Sequence, residues 1–159
     1  MAFNSWRKSD LKAELGDASI ILDHFDFLIP DVEQRKHFLD VLAHSVQYSA
    51  TKINHVLFVI GGQGTGKSWI SLLIREIFGA HNVCVIDSSL LSSDFNASMA
   101  DRQVLILEEV GLEDKSEAYN SRKRWVTDES MLVDEKGIIR YQAEMPKPIV
   151  AFSNEEVPL

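Results

Sequence analysis

The sequence predicts an α/β domain with a central parallel sheet, preceded by a small helical segment. Three observations carry that expectation. Four short apolar runs, at 56–60, 83–86, 104–107 and 149–152, are rich in β-branched residues. Runs of this kind fit strands buried on both faces of a parallel sheet. A helical stretch at 68–78 lies between the first two, behind a glycine-rich loop. Strand, loop, helix, strand is a βαβ unit, and such units build parallel sheets. The chain before residue 53 has helical periodicity instead. It therefore divides into an N-terminal helical segment, 1–52, and an α/β core, 53–159.

The elements follow in order. Trp6, Leu11 and Leu15 are spaced for a short early helix. A stronger helix follows the break at Pro30. Asp31 is placed to cap it, with Gln34 three residues on in the manner of a capping box. Phe38, Leu39, Leu42, Ala43 and Val46 then recur at helical spacing and predict its core face. In the helix at 68–78 the apolar side is Trp69, Ile70, Leu73, Ile74 and Ile77, and Gly79 fits the stop. Residues 131–141 read as a β-hairpin. Leu132-Val133 and Ile138-Ile139 flank the turn-forming Asp134-Glu135-Lys136-Gly137.

Composition narrows the function classes. The chain has 159 residues, 45% of them hydrophobic and 25% charged, the balance of one soluble globular domain. A single cysteine, Cys84, rules out an internal disulfide and fits a reducing compartment. It lies in an apolar run, where a buried inert thiol is expected. No zinc-binding spacing occurs. The N-terminus does not read as a signal peptide, and no apolar stretch reaches the roughly 18–20 residues of a membrane span. The expected location is the cytoplasm. A formal net charge of −8 argues against coating nucleic acid by bulk charge, but permits contact through a few basic residues.

The chemistry is concentrated in residues 61–68. Gly61, Gly62, Gln63, Gly64, Thr65, Gly66, Lys67 and Ser68 match GxxxxGK[ST] in full, between a strand and a helix. Glycines let the backbone wrap a phosphate chain and point N–H groups inward. The helix behind adds the positive end of its dipole. Lys67 is expected on the β- and γ-phosphates and the Ser68 hydroxyl on Mg²⁺. The run at 104–107 leads into Glu108-Glu109. At the end of a parallel strand these carboxylates would face the same crevice. One can hold the Mg²⁺ shell and the next can accept a proton from the attacking water. On its own, such a pair is also what a solvated strand end looks like. The run at 149–152 ends in Ser153-Asn154. An amide there can hold the water or sense the γ-phosphate, or simply turn the chain.

The order of these motifs resembles superfamily 3 helicases of viruses, phages and plasmids, most of all the helicase part of phage and plasmid primase-helicases. "FLDVLAHSVQ" followed by "KINHVLFVIGGQGTGKS" is similar to their lead-in to the Walker A motif. "RKRWVTDESMLVDEKG" is similar to motif B′, with Lys123 and Lys136 at its basic positions. "PIVAFSNEEVPL" is similar to motif C. The resemblance spans roughly residues 20–159. It implies a P-loop NTPase fold of the AAA+ kind and an ATP-dependent DNA helicase motor. Lys67 and Ser68 would bind phosphate and Mg²⁺. Glu108 and Glu109 would be the Walker B acids, with Glu109 the base, and Asn154 the sensor. The hairpin carrying Lys136 would project into the channel of a hexameric ring to meet single-stranded or forked DNA. Lys123 would add a phosphate contact, although Arg122-Lys123-Arg124 is elsewhere an ordinary solvated helix face. Primase or other replication proteins are the expected partners, in the cytoplasm of a bacterial host.

The family continues beyond motif C to an arginine that acts on the neighbouring subunit's nucleotide. The sequence stops five residues after Asn154. A fragment is therefore expected, one that binds nucleotide better than it hydrolyses it. Other readings stay open at this point. These are an AAA+-type loader or assembly factor that does not unwind DNA, a small-molecule kinase, and a binding module without turnover.

Overall fold

A computed structural model describes residues 7–87, 97–110, 127–134 and 137–154. In chain order these form helices α1 (Ser19–Leu28) and α2 (Val32–Gln47), strand β1 (Val56–Ile60), helix α3 (Lys67–Phe78), and strands β2 (Val83–Asp87), β3 (Val104–Glu108), β4 (Ser130–Val133), β5 (Tyr141–Glu144) and β6 (Ile149–Ser153). Four strands make one parallel sheet in the order β1-β6-β3-β2. The strands β4 and β5 pair separately and antiparallel. Among the described residues no helix is long and apolar enough to cross a membrane.

Alternation along each parallel strand separates two cores. Leu57, Val83, Val104, Ile106, Val150 and Phe152 face the three helices, meeting Phe25, Phe38, Ile70 and Ile74. Cys84, Ile86, Leu105, Leu107, Ile149 and Ala151 face the other way, against Met131, Val133 and Met145 of the hairpin region. This two-sided burial explains why the strands read as continuous apolar runs. Helices α1 and α2 bury side chains in the same core as α3.

The four expected strands and the helix behind the glycine loop are all present, and Gly79 caps α3. Asp31 Oδ1 accepts from the Gln34 backbone N–H at 2.8 Å, which satisfies one orphan donor of α2.

Three expectations need correction. The first concerns the buried stripe of α2, which is Phe38, Val41, Leu42 and Ser45. Ala43 and Val46 point to solvent. Ser45 takes the core position because its hydroxyl donates to Val41 O at 2.8 Å, so its polarity is satisfied within the helix. The second concerns the early helix. Residues 7–18 are not helical, and Leu11 and Leu15 are exposed. Trp6 lies outside the described residues. The helix is α1, further on, started by Asp17 Oδ1 accepting from Ser19 N at 2.8 Å. The third concerns the hairpin, whose second arm is Tyr141–Glu144, in register Val133↔Tyr141. Ile138 and Ile139 are exposed in the loop instead. Arg140 and Asp134 close that loop with an ion pair of 2.5 Å.

Candidate functional site

The strand ends place the site. β1 and β6 run in register from Val56↔Ile149 to Ile60↔Ser153, so they finish level. Gly61 N continues the ladder by donating to Ser153 O at 3.1 Å. The strand β6 lies between β1 and β3. Asn154 therefore emerges between the glycine loop on one side and Glu108-Glu109 on the other. Together they line an open cleft of about 430 Å³.

One wall is the loop. Gln63, Gly64, Thr65, Gly66, Lys67 and Ser68 line the cleft, whereas Gly61 and Gly62 do not. Gly64 and Gly66 stand at φ +80° and +94°, a backbone conformation that costs L side chains energy. Thr65 Oγ1 donates to Gly62 O at 2.9 Å and folds the loop on itself. Lys67 Nζ donates to Gly61 O at 2.5 Å and Gly62 O at 2.7 Å, so the ammonium rests on the loop's own carbonyls. The N-cap of α3 is Gly66, which offers no side-chain cap, and the first turn holds no acid. The helix thus presents its first N–H groups and dipole to the cleft, an arrangement suited to an anion.

The opposite wall is acidic. Glu108 ends β3 and is half-buried, whereas Glu109 is exposed. Glu109 adopts φ +54°, one of two non-glycine residues in this region among those described. The turn it makes lets Val110 N donate to Phe152 O at 2.9 Å, so the chain after β3 stays tied to β6. Phe152 supplies an apolar wall to the cleft.

The structure thus brings Lys67, Ser68, Glu108, Glu109 and Asn154 to one cleft. Lys123 and Lys136 lie outside the described residues. Among those described, no cluster of three or more His, Cys, Asp or Glu forms a self-sufficient metal site. A hydroxyl from Ser68 and a carboxylate from Glu108 suit a hard cation that also takes oxygens from its ligand.

Two features of the site escaped sequence reasoning. One is the bend at Glu109, for which the sequence carries no glycine signal. The other is α1, whose Leu28 packs behind Gly66 and whose Phe25 and His24 contact Trp69 edge-on, with ring centroids 5.5 and 4.3 Å away.

The chain is similar to known proteins in sequence and in fold. A model described as "Family of unknown function (DUF5906)" matches residues 59–159. The DNA Primase-polymerase of Nitratiruptor phage NrS-1 is 26% identical over 144 residues, which cover 89% of this chain and 20% of that protein. The chain thus spans about one fifth of that relative. The apo structure of the NrS-1 C-terminal region (305–718) superposes with a TM-score of 0.81 at 24% identity, covering 92% of this chain and 36% of that one. The JCV helicase superposes with a TM-score of 0.57 at 16% identity, covering 85% of this chain and 39% of that one. At the level of fold, the expected helicase-like α/β architecture with a central parallel sheet holds.

Proposed function

Because the chain belongs to the DUF5906 family, whose description assigns no activity, we propose from the cleft itself that it is the ATP-hydrolysing motor of a phage or plasmid replication helicase. One observation carries this reading. Lys67 and Ser68, Glu108 and Glu109, and Asn154 come from three separate stretches of chain and line a single cleft at a helix N-terminus. The likeness in fold to the JCV helicase supports a helicase over a loader that leaves DNA paired, and the phage relative's name supports a setting in DNA replication.

In this reading the fold is that of a P-loop NTPase of the AAA+ kind. The N–H groups of the loop and the first turn of α3 receive the triphosphate. Lys67 exchanges its loop carbonyls for β- and γ-phosphate oxygens. Ser68 and Glu108 would hold Mg²⁺, which would neutralise phosphate charge. Glu109 takes a proton from water as the water oxygen bonds to the γ-phosphorus. The bond to the β–γ bridging oxygen breaks, leaving ADP and phosphate. The Asn154 amide holds that water or senses the γ-phosphate. Lys123 and Lys136 meet phosphates of single-stranded or forked DNA as point charges. A homohexameric ring in the bacterial cytoplasm, working beside a primase or other replication proteins, completes the proposal.

The test is titration with a fluorescent ATP analogue, then phosphate release with and without single-stranded DNA. Lys67→Ala is expected to abolish binding, and Glu109→Gln to keep binding and lose turnover. Turnover unchanged in Glu109→Gln would remove Glu109 as base. ATPase activity stimulated by a replication protein but indifferent to DNA would favour a loader.

A further inference from the structure

The end of the sheet away from the cleft carries two lysines that the chemistry above does not use. Lys147 lies in the four-residue link between β5 and β6 and is 6% exposed. Its Nζ donates to Asn54 Oδ1 at 2.6 Å. Lys52 reaches the other way, with Nζ 2.8 Å from Glu144 Oε2 and 2.9 Å from Met145 O. Each lysine thus crosses from the segment before one strand to the segment before its neighbour. Those neighbours are β1 and β6, which carry the glycine loop and Asn154 at their far ends.

The same ties hold the hairpin. Glu144 is the last residue of β5, and Met145 N donates to Glu129 O at 3.0 Å, just ahead of β4. Met145, Pro146, Lys147 and Pro148 are all buried, and Met131, Val133 and Met145 pack on the sheet. The link is short, since four residues span at most about 14 Å.

A buried lysine is an expensive way to fill this volume. Burial pushes the Lys147 ammonium below its ordinary range and the Lys52 charge adds to that, against a smaller pull upward from Glu129 and Asp128. An apolar side chain of similar size would avoid the cost. What lysine adds is a directional bond to Asn54.

We propose that Lys147 and Lys52 are positioning residues that join the β1–β6 pair and the β4–β5 hairpin into one mechanical unit. Displacement at the glycine loop or at Asn154 then reaches the hairpin instead of being lost in the link. The proposal rests on the reading of the cleft as a nucleotide site.

The test is hydrogen–deuterium exchange across residues 127–145 of the full chain, with and without a non-hydrolysable ATP analogue, alongside affinity measured by fluorescence. In the unaltered protein the analogue is expected to change hairpin exchange. Lys147→Met and Lys52→Met are expected to keep the affinity and lose that change, and Lys147→Arg to restore part of it. A purely structural role would lower thermal stability and leave the nucleotide-dependent difference in place. Full retention of the difference in both methionine variants overturns the proposal. Binding without any hairpin change in the unaltered protein also overturns it while sparing the cleft reading. No binding at all overturns both. Should Lys147→Met fail to fold, the more exposed Lys52→Met and Asn54→Leu each cut one tie and carry the same decision.

Discussion

Leu28 of α1 stands directly behind Gly66 of the glycine loop, its Cδ2 2.9 Å from where a Cβ on Gly66 would sit. Gly66 is also at φ +94°. The left-handed backbone keeps this position a glycine, and Leu28 would also have to shift to admit a side chain there. Gly66→Ala is expected to cost about 1–2 kcal/mol from the left-handed backbone alone, with a packing penalty added. Leu28→Ala removes the second part and leaves the first. In urea melts the two substitutions should therefore couple, Gly66→Ala costing less in the Leu28→Ala background, by about 0.5–3 kcal/mol. Additive effects would show that α1 does not buttress the loop.

What holds Leu28 there is the corner between α1 and α2, and Arg35 clasps it. Its Nε meets Asp26 Oδ1 at 2.7 Å, and Nη1 donates to Ile29 O at 2.8 Å and Pro30 O at 3.3 Å. Asp26 is largely exposed, so the ion pair itself contributes little. The bonds to two carbonyls matter more, because the guanidinium reaches the carboxylate and the carbonyls from two different nitrogens of a rigid fork, where lysine has a single nitrogen. Arg35→Lys is expected to destabilise by about 1–2 kcal/mol. Nucleotide affinity should weaken with it as the loop loses its backing. An unchanged melting midpoint would sink this account.

The sheet and the loop were legible in the sequence because each answers to a local rule. A strand buried on both faces must be apolar throughout, and a loop that wraps phosphate must be glycine-rich. The cleft's membership was legible for the same reason, since Lys67, Glu108 and Asn154 all sit at strand or loop ends. The errors fell where a tertiary partner decides. Val46 looks like core and Ser45 does not, yet the helix turns Ser45 inward and satisfies it locally. Ile138 and Ile139 look like strand, yet the antiparallel register starts at Tyr141. Nothing near Leu28 announces that it backs Gly66. Nothing near Glu109 announces its bend, which brings Val110 N to Phe152 O, a partner distant in sequence.

That bend makes its own prediction. A glutamate at φ +54° bears a left-handed cost of about 1–2 kcal/mol. Glu109→Gln keeps the cost and removes the charge, while Glu109→Gly removes both. The glycine variant should be the more stable of the two by about 0.5–1 kcal/mol, after glycine's larger loss of chain entropy. Both should bind nucleotide without turnover. Equal stability in chemical denaturation would mean that the backbone there is not strained.

Cys84 should be silent in the folded protein. It is buried between β-strand neighbours on the hairpin side of the sheet, and burial pushes its thiol up, against smaller downward pulls from Ser98 and Arg102. Attack on a disulfide reagent needs exposed thiolate. Labelling is expected only as the chain unfolds, at a rate that tracks the unfolding equilibrium in urea. Rapid labelling without denaturant would contradict the packing.

The last prediction concerns acid. His55 precedes β1, and its Nε2 is buried with no hydrogen-bond partner. Its ring stacks on His37 of α2 at 5.1 Å. Burial first, and the His37 charge second, hold the imidazole below its ordinary value of 6.5. The unfolded chain therefore binds a proton that the native state refuses. Stability then rises with pH between the lowered native value and 6.5, and is lost as pH falls through that window. One such group contributes a slope of at most about 1.4 kcal/mol per pH unit. His55→Phe should flatten the slope measured in urea melts between about pH 8 and about pH 5. His37→Gln should make it shallower, since it removes the smaller cause and leaves the burial. The same slope in His55→Phe as in the unaltered chain would assign acid sensitivity to another group.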